Sequence, residues 1–174
     1  PALMRQLNPR AMTGVVVSAL SALEIACADL RAKAAGESLA QRLGGRRPSA
    51  PAHVTCGFPA LETGDLAAAC VREIAAGADG VKVLVAAKGR SPEEDAARVR
   101  AARAAIGDGP DLIVDANCGW DRETALAFVR ASEDIALTWL EEPVRDNDRH
   151  DLAAFAATGV HPLGAGQMQQ RADR

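Results

Sequence analysis

From Ala52 onward, short β-rich runs alternate with longer alanine-rich helical runs, and few folds accept that order. Ala52 to Cys56 reads as a strand, Asp65 to Ala76 as a helix closed by Gly77, Gly80 to Val85 as a strand, and Pro92 to Ile106 as a helix closed by Gly107. Leu112 to Val114 is a strand running into Asp115, Arg122 to Ala131 a helix, Ala136 to Leu140 a strand leading into Glu141, and Asp148 to Ala157 a helix closed by Gly159. His161 to Ala165 opens a fifth strand. Alternation with short connections predicts a parallel sheet built of right-handed βαβ units. With 174 residues the chain is too short for a closed eightfold barrel, which takes about 250. The expected fold class is therefore α/β, about five parallel strands with flanking helices, arranged either as a partial (β/α) barrel or as a doubly wound sheet.

Upstream, apolar residues recur at helical spacing from Gly14 to Ala35 (Val16, Leu20, Leu23, Leu30, Ala34), with Gly36 placed as a C-cap. This predicts one amphipathic helix. A short helical piece, Leu39 to Leu43, precedes Gly44-Gly45, and the basic, proline-bearing stretch Arg46 to Pro51 reads as a linker. The expected division is a helical domain over residues 1–47 and a β/α domain over 48–174. Pro1 to Pro9 reads as coil. Because the chain starts with Pro1 rather than Met, the expectation is a processed, excerpted or truncated beginning.

Composition narrows the function. A net charge of −3 supplies no electrostatic reason for nucleic acid or an anionic membrane as partner. The most apolar stretch, Val15 to Ala28, is interrupted by Glu24, and no targeting pattern precedes it, so the expectation is a cytoplasmic protein. Cys27, Cys56, Cys70 and Cys118 lack C-x-x-C spacing and sit among apolar residues, which predicts reduced, buried thiols.

The chemistry is expected at strand ends. Asp115, Glu141 and Gln167 are spaced by 26 and again by 26 residues, each at the C-terminal end of a predicted strand. In a parallel barrel those ends share one face, so three side chains converge. Mg²⁺ prefers carboxylate oxygens and leaves positions open for water or substrate, and carboxylates on adjacent strand tips suit it. The plainer alternative is that Asp115 and Asn117 cap the following helix and Glu142 is a solvated loop charge. His53 and His161 fall at strand starts and His150 near a helix start, away from the expected chemistry, so all three read as structural or surface residues. Trp120 and Trp139 read as core.

Ser21 to Ala26, Asp29-Leu30, Lys33 to Gly36 and Leu43-Gly44-Gly45, followed by Gly80-Val81-Lys82-Val83, Val114-Asp115-Ala116-Asn117, Glu141-Glu142-Pro143 and Gly164-Ala165-Gly166-Gln167, form an ordered set from Val16 to Met168. In order and spacing this set resembles the mandelate racemase/muconate-lactonizing group of the enolase superfamily. The resemblance implies that residues 1–47 are the end of a capping domain and residues 48–174 the first half of a barrel. It implies Asp115 and Glu141 as Mg²⁺ ligands, Gln167 in the place of a third, normally glutamate, ligand, and Asn117 as the residue accompanying the first. Lys82 matches the first lysine of the family's K-x-K pair. The implied chemistry is metal-assisted removal of the α-proton of a small carboxylate, an acid sugar or hydroxy acid, in a dehydratase or racemase.

The chain also departs from that pattern. Leu84 stands where the second lysine of the pair is expected, and Lys88, four residues on, reads as a solvated loop lysine. Gln167 keeps an oxygen ligand but removes a unit of negative charge, which lowers the expected Mg²⁺ affinity. The resemblance places residues 52–165 on the first five barrel strands, so later strands and most of the capping domain are expected to be missing and the chain alone to be catalytically incompetent. Two other readings compete. One is a non-enzymatic remnant, or a half barrel that pairs with a copy of itself or with a complementary chain, since open sheet edges invite association. The other is a doubly wound domain, which requires a glycine-rich phosphate loop that Cys56-Gly57-Phe58-Pro59 does not supply.

Overall fold

The structure is a computed structural model and describes residues 14–167. The segment Pro1 to Pro9 and Met168 lie outside these residues. The chain forms two compact units that divide between Ala50 and Pro51.

The first unit contains α1 (Gly14–Ala34) and the short α2 (Leu39–Arg42). The intervening turn uses Gly36 at φ +69°, a left-handed conformation that glycine adopts without steric penalty. Ser38 then caps α2: its hydroxyl accepts from the Gln41 amide, and the Gln41 side chain accepts from the Ser38 amide. The expected amphipathic stripe on α1 is not what forms. Val15, Leu23, Ile25 and Leu30 are all exposed, and only Ala32 is buried. Leu23 and Ile25 are two positions apart and so point to different sides, which gives α1 apolar residues around its circumference. The same helix leaves Cys27 exposed, contrary to the expectation of four buried thiols.

The second unit is a five-stranded parallel sheet in the order β1 (His53–Gly57), β2 (Gly80–Leu84), β3 (Asp111–Asp115), β4 (Trp139–Glu141), β5 (Leu163–Gly164). Helices α3 (Thr63–Ala75), α4 (Pro92–Ile106), α5 (Arg122–Ala131) and α6 (Arg149–Ala156) connect successive strands. The helix starts are legible in the chain. Ser91 and Glu94 form a capping box with Pro92 in the first turn, Asp121 accepts from the Thr124 amide, and Asp148 accepts from the His150 and Asp151 amides. Asp121 thus takes the capping role that Asp115 and Asn117 would hold in the plainer reading. Among the described residues no helix is long and apolar enough to cross a membrane.

Period-two alternation sorts the strand side chains onto two faces. Val81, Val83, Leu112, Val114 and Leu140 are essentially inaccessible and pack with Leu66, Val99 and Phe128 of the helices. Each such side chain contributes about 1.5–3 kcal/mol on burial. Gly80, Lys82, Leu84, Asp111, Ile113, Asp115, Trp139 and Glu141 occupy the opposite face. Gly80 pairs in register with both His53 and Asp111, and a Cβ there would lie 2.5 Å from the Asp111 Cβ. Its lack of a side chain lets His53 Nε2 reach Asp111 Oδ2 at 2.9 Å across β2. His161 is half-buried against the Ser132 hydroxyl, 2.9 Å away, and burial lowers its pKa. These contacts give His53 and His161 structural partners.

A buried ion pair braces the loops at the C-terminal ends of β1 and β2. Asp95 and Arg98, both on α4 and both at most 1% exposed, meet at 3.1 Å. Asp95 Oδ2 accepts from the Ala86 amide at 2.8 Å, while Arg98 donates to the carbonyls of Leu84 and Phe58. Ala86 is at φ +63°, a conformation alanine adopts only when held. Burial pushes the Asp95 carboxyl above its usual pKa, against the opposing pull of the Ala86 amide and Arg98.

Candidate metal centre

Asp115 ends β3, Glu141 ends β4, and the two are direct register partners. Each carboxylate commits one oxygen to a local donor. Asp115 Oδ1 accepts from the Asn117 amide at 2.8 Å, and Glu141 Oε2 accepts from the Trp139 indole at 3.1 Å. The remaining oxygens face one point, which the Lys82 ammonium occupies at 3.1 Å from Asp115 Oδ2 and 3.2 Å from Glu141 Oε1. Of the three side chains expected to converge, Asp115 and Glu141 thus meet at one cationic group, whereas Gln167 does not contact it. Burial pushes the Lys82 pKa down, but the two carboxylates outweigh it and hold the ammonium above its usual range. Lys82 is therefore a proton holder in this arrangement. Leu84 lies two residues on, on the same face and opposite Asp115 in the ladder, so an apolar side chain stands beside the lysine.

Gln167 lies beyond the end of β5 and is exposed; its amide nitrogen donates to Asn117 Oδ1 at 3.0 Å. The structure thus gathers Lys82, Asp115 and Glu141 in one cluster and joins Gln167 to Asn117 beside it. Among the described residues no group of three or more His, Cys, Asp and Glu side chains is assembled. The donor set fits a hard divalent cation on its chemistry: two carboxylate oxygens converge on a cationic group, and the engaged nitrogen of Gln167 leaves an amide oxygen to offer.

Glu142 is not a solvated loop charge. It is 1% exposed and sits at φ +47°, which turns its side chain back into the protein. Its Oε1 accepts from the Gly166 and Gln167 amides at 2.6 and 2.7 Å, and the Cys118 thiol donates to Oε2 at 3.4 Å. Burial would raise the Glu142 pKa, but these donors together hold it below its usual value. In return, burial and the facing carboxylate push the half-buried Cys118 thiol up to about 11. Glu142 anchors the backbone of Gln167. Trp139 also does more than pack, since its indole N–H orients Glu141 and its ring meets His53 edge-on with centroids 5.7 Å apart. In both cases the signal was adjacency to a proposed ligand in sequence or along a strand face.

A parallel β/α array that gathers carboxylates at the C-terminal tips of its strands, with a lysine reaching them from mid-strand, has the layout of a barrel-type enzyme domain. Residues 65–173 match the family described as Enolase C-terminal domain-like. The chain belongs to that family, the mandelate racemase/muconate-lactonizing branch of the enolase superfamily. It is 37% identical to the L-talarate/galactarate dehydratase of Salmonella typhimurium over 90% of this chain and 39% of the relative. It is 33% identical to the 3,6-anhydro-alpha-L-galactonate cycloisomerase of Streptomyces coelicolor over 88% of this chain and 42% of the relative. Among solved structures, an L-talarate dehydratase from a Polaromonas species, complexed with Mg and L-glucarate, superposes with a TM-score of 0.81 at 37% identity, covering 90% of this chain and 44% of that one. A Streptomyces coelicolor racemase with bound magnesium superposes at 0.82 with 31% identity, over 90% and 46% of the two chains. The chain spans about two fifths of the length of these curated relatives.

Proposed function

We propose that this chain carries part of the active site of a Mg²⁺-dependent enzyme that removes the α-proton of a small carboxylate, an acid sugar or hydroxy acid, in a dehydratase- or racemase-type reaction. The observation that carries the reading is the convergence of Asp115 Oδ2 and Glu141 Oε1 on one cationic group. Similarity to a dehydratase of talarate and galactarate and to a structure holding Mg with L-glucarate supports the substrate class. Asp115 and Glu141 would hold the ion, Gln167 would offer its amide oxygen, and Asn117 would orient Gln167. A bound Mg²⁺ supplies electrostatic stabilisation of the negative charge that develops on a substrate carboxylate. Lys82 holds a proton at Nζ beside that charge, with Leu84 two residues on along the same strand face. The helical segment before residue 48 is proposed as the end of a capping domain, residues 48–174 as barrel, and the chain alone as incompetent for turnover.

Calorimetric titration of the chain with Mg²⁺ tests the ion site. Weak binding is expected in the native chain, and loss of that binding in Asp115→Asn and in Glu141→Gln. Equal affinity in all three would remove the metal from the proposal. Mg²⁺-dependent dehydration of a sugar acid by the isolated chain would overturn its incompetence.

A further inference from the structure

On the helix side of β1, away from the acidic cluster, Cys56 and Cys70 bring their sulfurs to 3.7 Å across the β1–α3 packing. Cys56 is the extra residue of a bulge, since Thr55 pairs with Lys82 and Gly57 with Val83. Cys70 is fully buried, but Cys56 keeps 8% of its surface and opens onto a groove of about 430 Å³ bordered by Thr55, Phe58, Asp65, Arg72 and Glu73. Of the pair, Cys56 is the member that lines this groove, and Cys70 is enclosed. Two thiols in contact, one at the edge of a groove and one enclosed, are the parts of an attacking and resolving pair.

We propose that Cys56 and Cys70 form an oxidisable dithiol site whose co-substrate is a small hydroperoxide. The Cys56 sulfur attacks one peroxide oxygen, the O–O bond breaks, and hydroxide leaves, so that Cys56 becomes a sulfenic acid. The Cys70 sulfur then attacks the Cys56 sulfur, the S–S bond forms, the S–O bond breaks, and hydroxide leaves and takes up the Cys70 proton as water. With the proton first lost by Cys56 neutralising the first hydroxide, two thiols and one hydrogen peroxide give one disulfide and two waters. The assignment of roles follows access, since Cys56 lines the groove and Cys70 is enclosed. Either sulfur can donate to the other, and their shared contact favours one thiolate over two. Disulfide formation requires the sulfurs to close from 3.7 Å to about 2.05 Å. In the groove Arg72 is paired with Glu73 at 3.3 Å, and the glutamate's opposing charge on Cys56 is the larger of the two. This site is independent of the proposed metal chemistry.

The test uses the full chain in a Cys27→Ser/Cys118→Ser background, so that the pair holds the remaining thiols. The folded protein is treated with hydrogen peroxide, then unfolded, alkylated and measured by intact mass and peptide mapping. Loss of both thiols, a mass decrease of two hydrogens, a Cys56–Cys70 linked peptide and full reversal by dithiothreitol are expected. Adding Cys70→Ser should stop the reaction at a single added oxygen on Cys56. Adding Cys56→Ser should leave Cys70 open to alkylation after unfolding. Retention of both thiols after peroxide, or linkage only between different chains, would overturn the proposal. Because the mapping is read in the background with the pair intact, the result stands even where a further serine variant fails to fold.

Discussion

Replacing Arg98 by methionine isolates the buried charge of Asp95 and so measures how the loops around the candidate site are held. In the native chain Arg98 donates to Asp95 at 3.1 Å and to the Phe58 carbonyl at 3.2 Å, with both side chains out of water. Methionine fills a similar volume but leaves the carboxylate with the Ala86 amide as its hydrogen-bond donor. Removing one member of a buried pair destabilises by about 3–5 kcal/mol. With a urea slope of about 2 kcal/mol per molar, the unfolding midpoint of the full chain should fall by about 2 M. The loss should depend on pH in a definite direction. An acid whose folded pKa is raised binds its proton more tightly when folded, so its contribution to stability is best at low pH and declines as pH rises from the unfolded pKa through the folded one. Without Arg98 that pKa rises further, so Arg98→Met should lose more at pH 7 than at pH 5. Adding Asp95→Asn should recover part of the loss, because the amide oxygen still accepts from Ala86 without a buried charge. A loss below about 1 kcal/mol at pH 7, with no dependence on pH, would refute the reasoning that the pair is energetically engaged.

Lys82→Met leaves Asp115 and Glu141 facing each other without their shared ammonium, so the melting temperature should fall in metal-free buffer and recover more than the native chain's when Mg²⁺ is added, read by thermal melts with and without the ion. Gly164→Ala places a Cβ 2.7 Å from the Trp139 ring and should weaken Mg²⁺ binding several-fold without touching a ligand, since Trp139 orients Glu141; calorimetry checks it. Glu142 has a lowered folded pKa, so its stabilisation is present above the unfolded value of about 4.3 and is lost as pH falls through the folded one. The stability advantage of the native chain over Glu142→Gln should therefore shrink on acidification below about pH 4, followed by urea unfolding across that range.

Local sequence determined much of the β/α domain. Pro92 to Ile106 and Arg122 to Ala131 form helices with the expected ends because Ser91, Pro92 and Asp121 are local capping signals that act within a few residues. Placement of Asp115 and Glu141 at neighbouring strand tips likewise follows from alternation and a repeated βαβ length. Tertiary structure decided what those tips contact. Glu141 and Glu142 are consecutive glutamates, yet one faces Lys82 and the other is buried under Gly166 and Gln167, because the left-handed backbone at Glu142 sends the second side chain elsewhere. The exposed apolar residues of α1 and the Cys56–Cys70 contact were illegible for a related reason. Periodicity records which residues share a face of one element, whereas burial and contact depend on what a distant segment brings to that face.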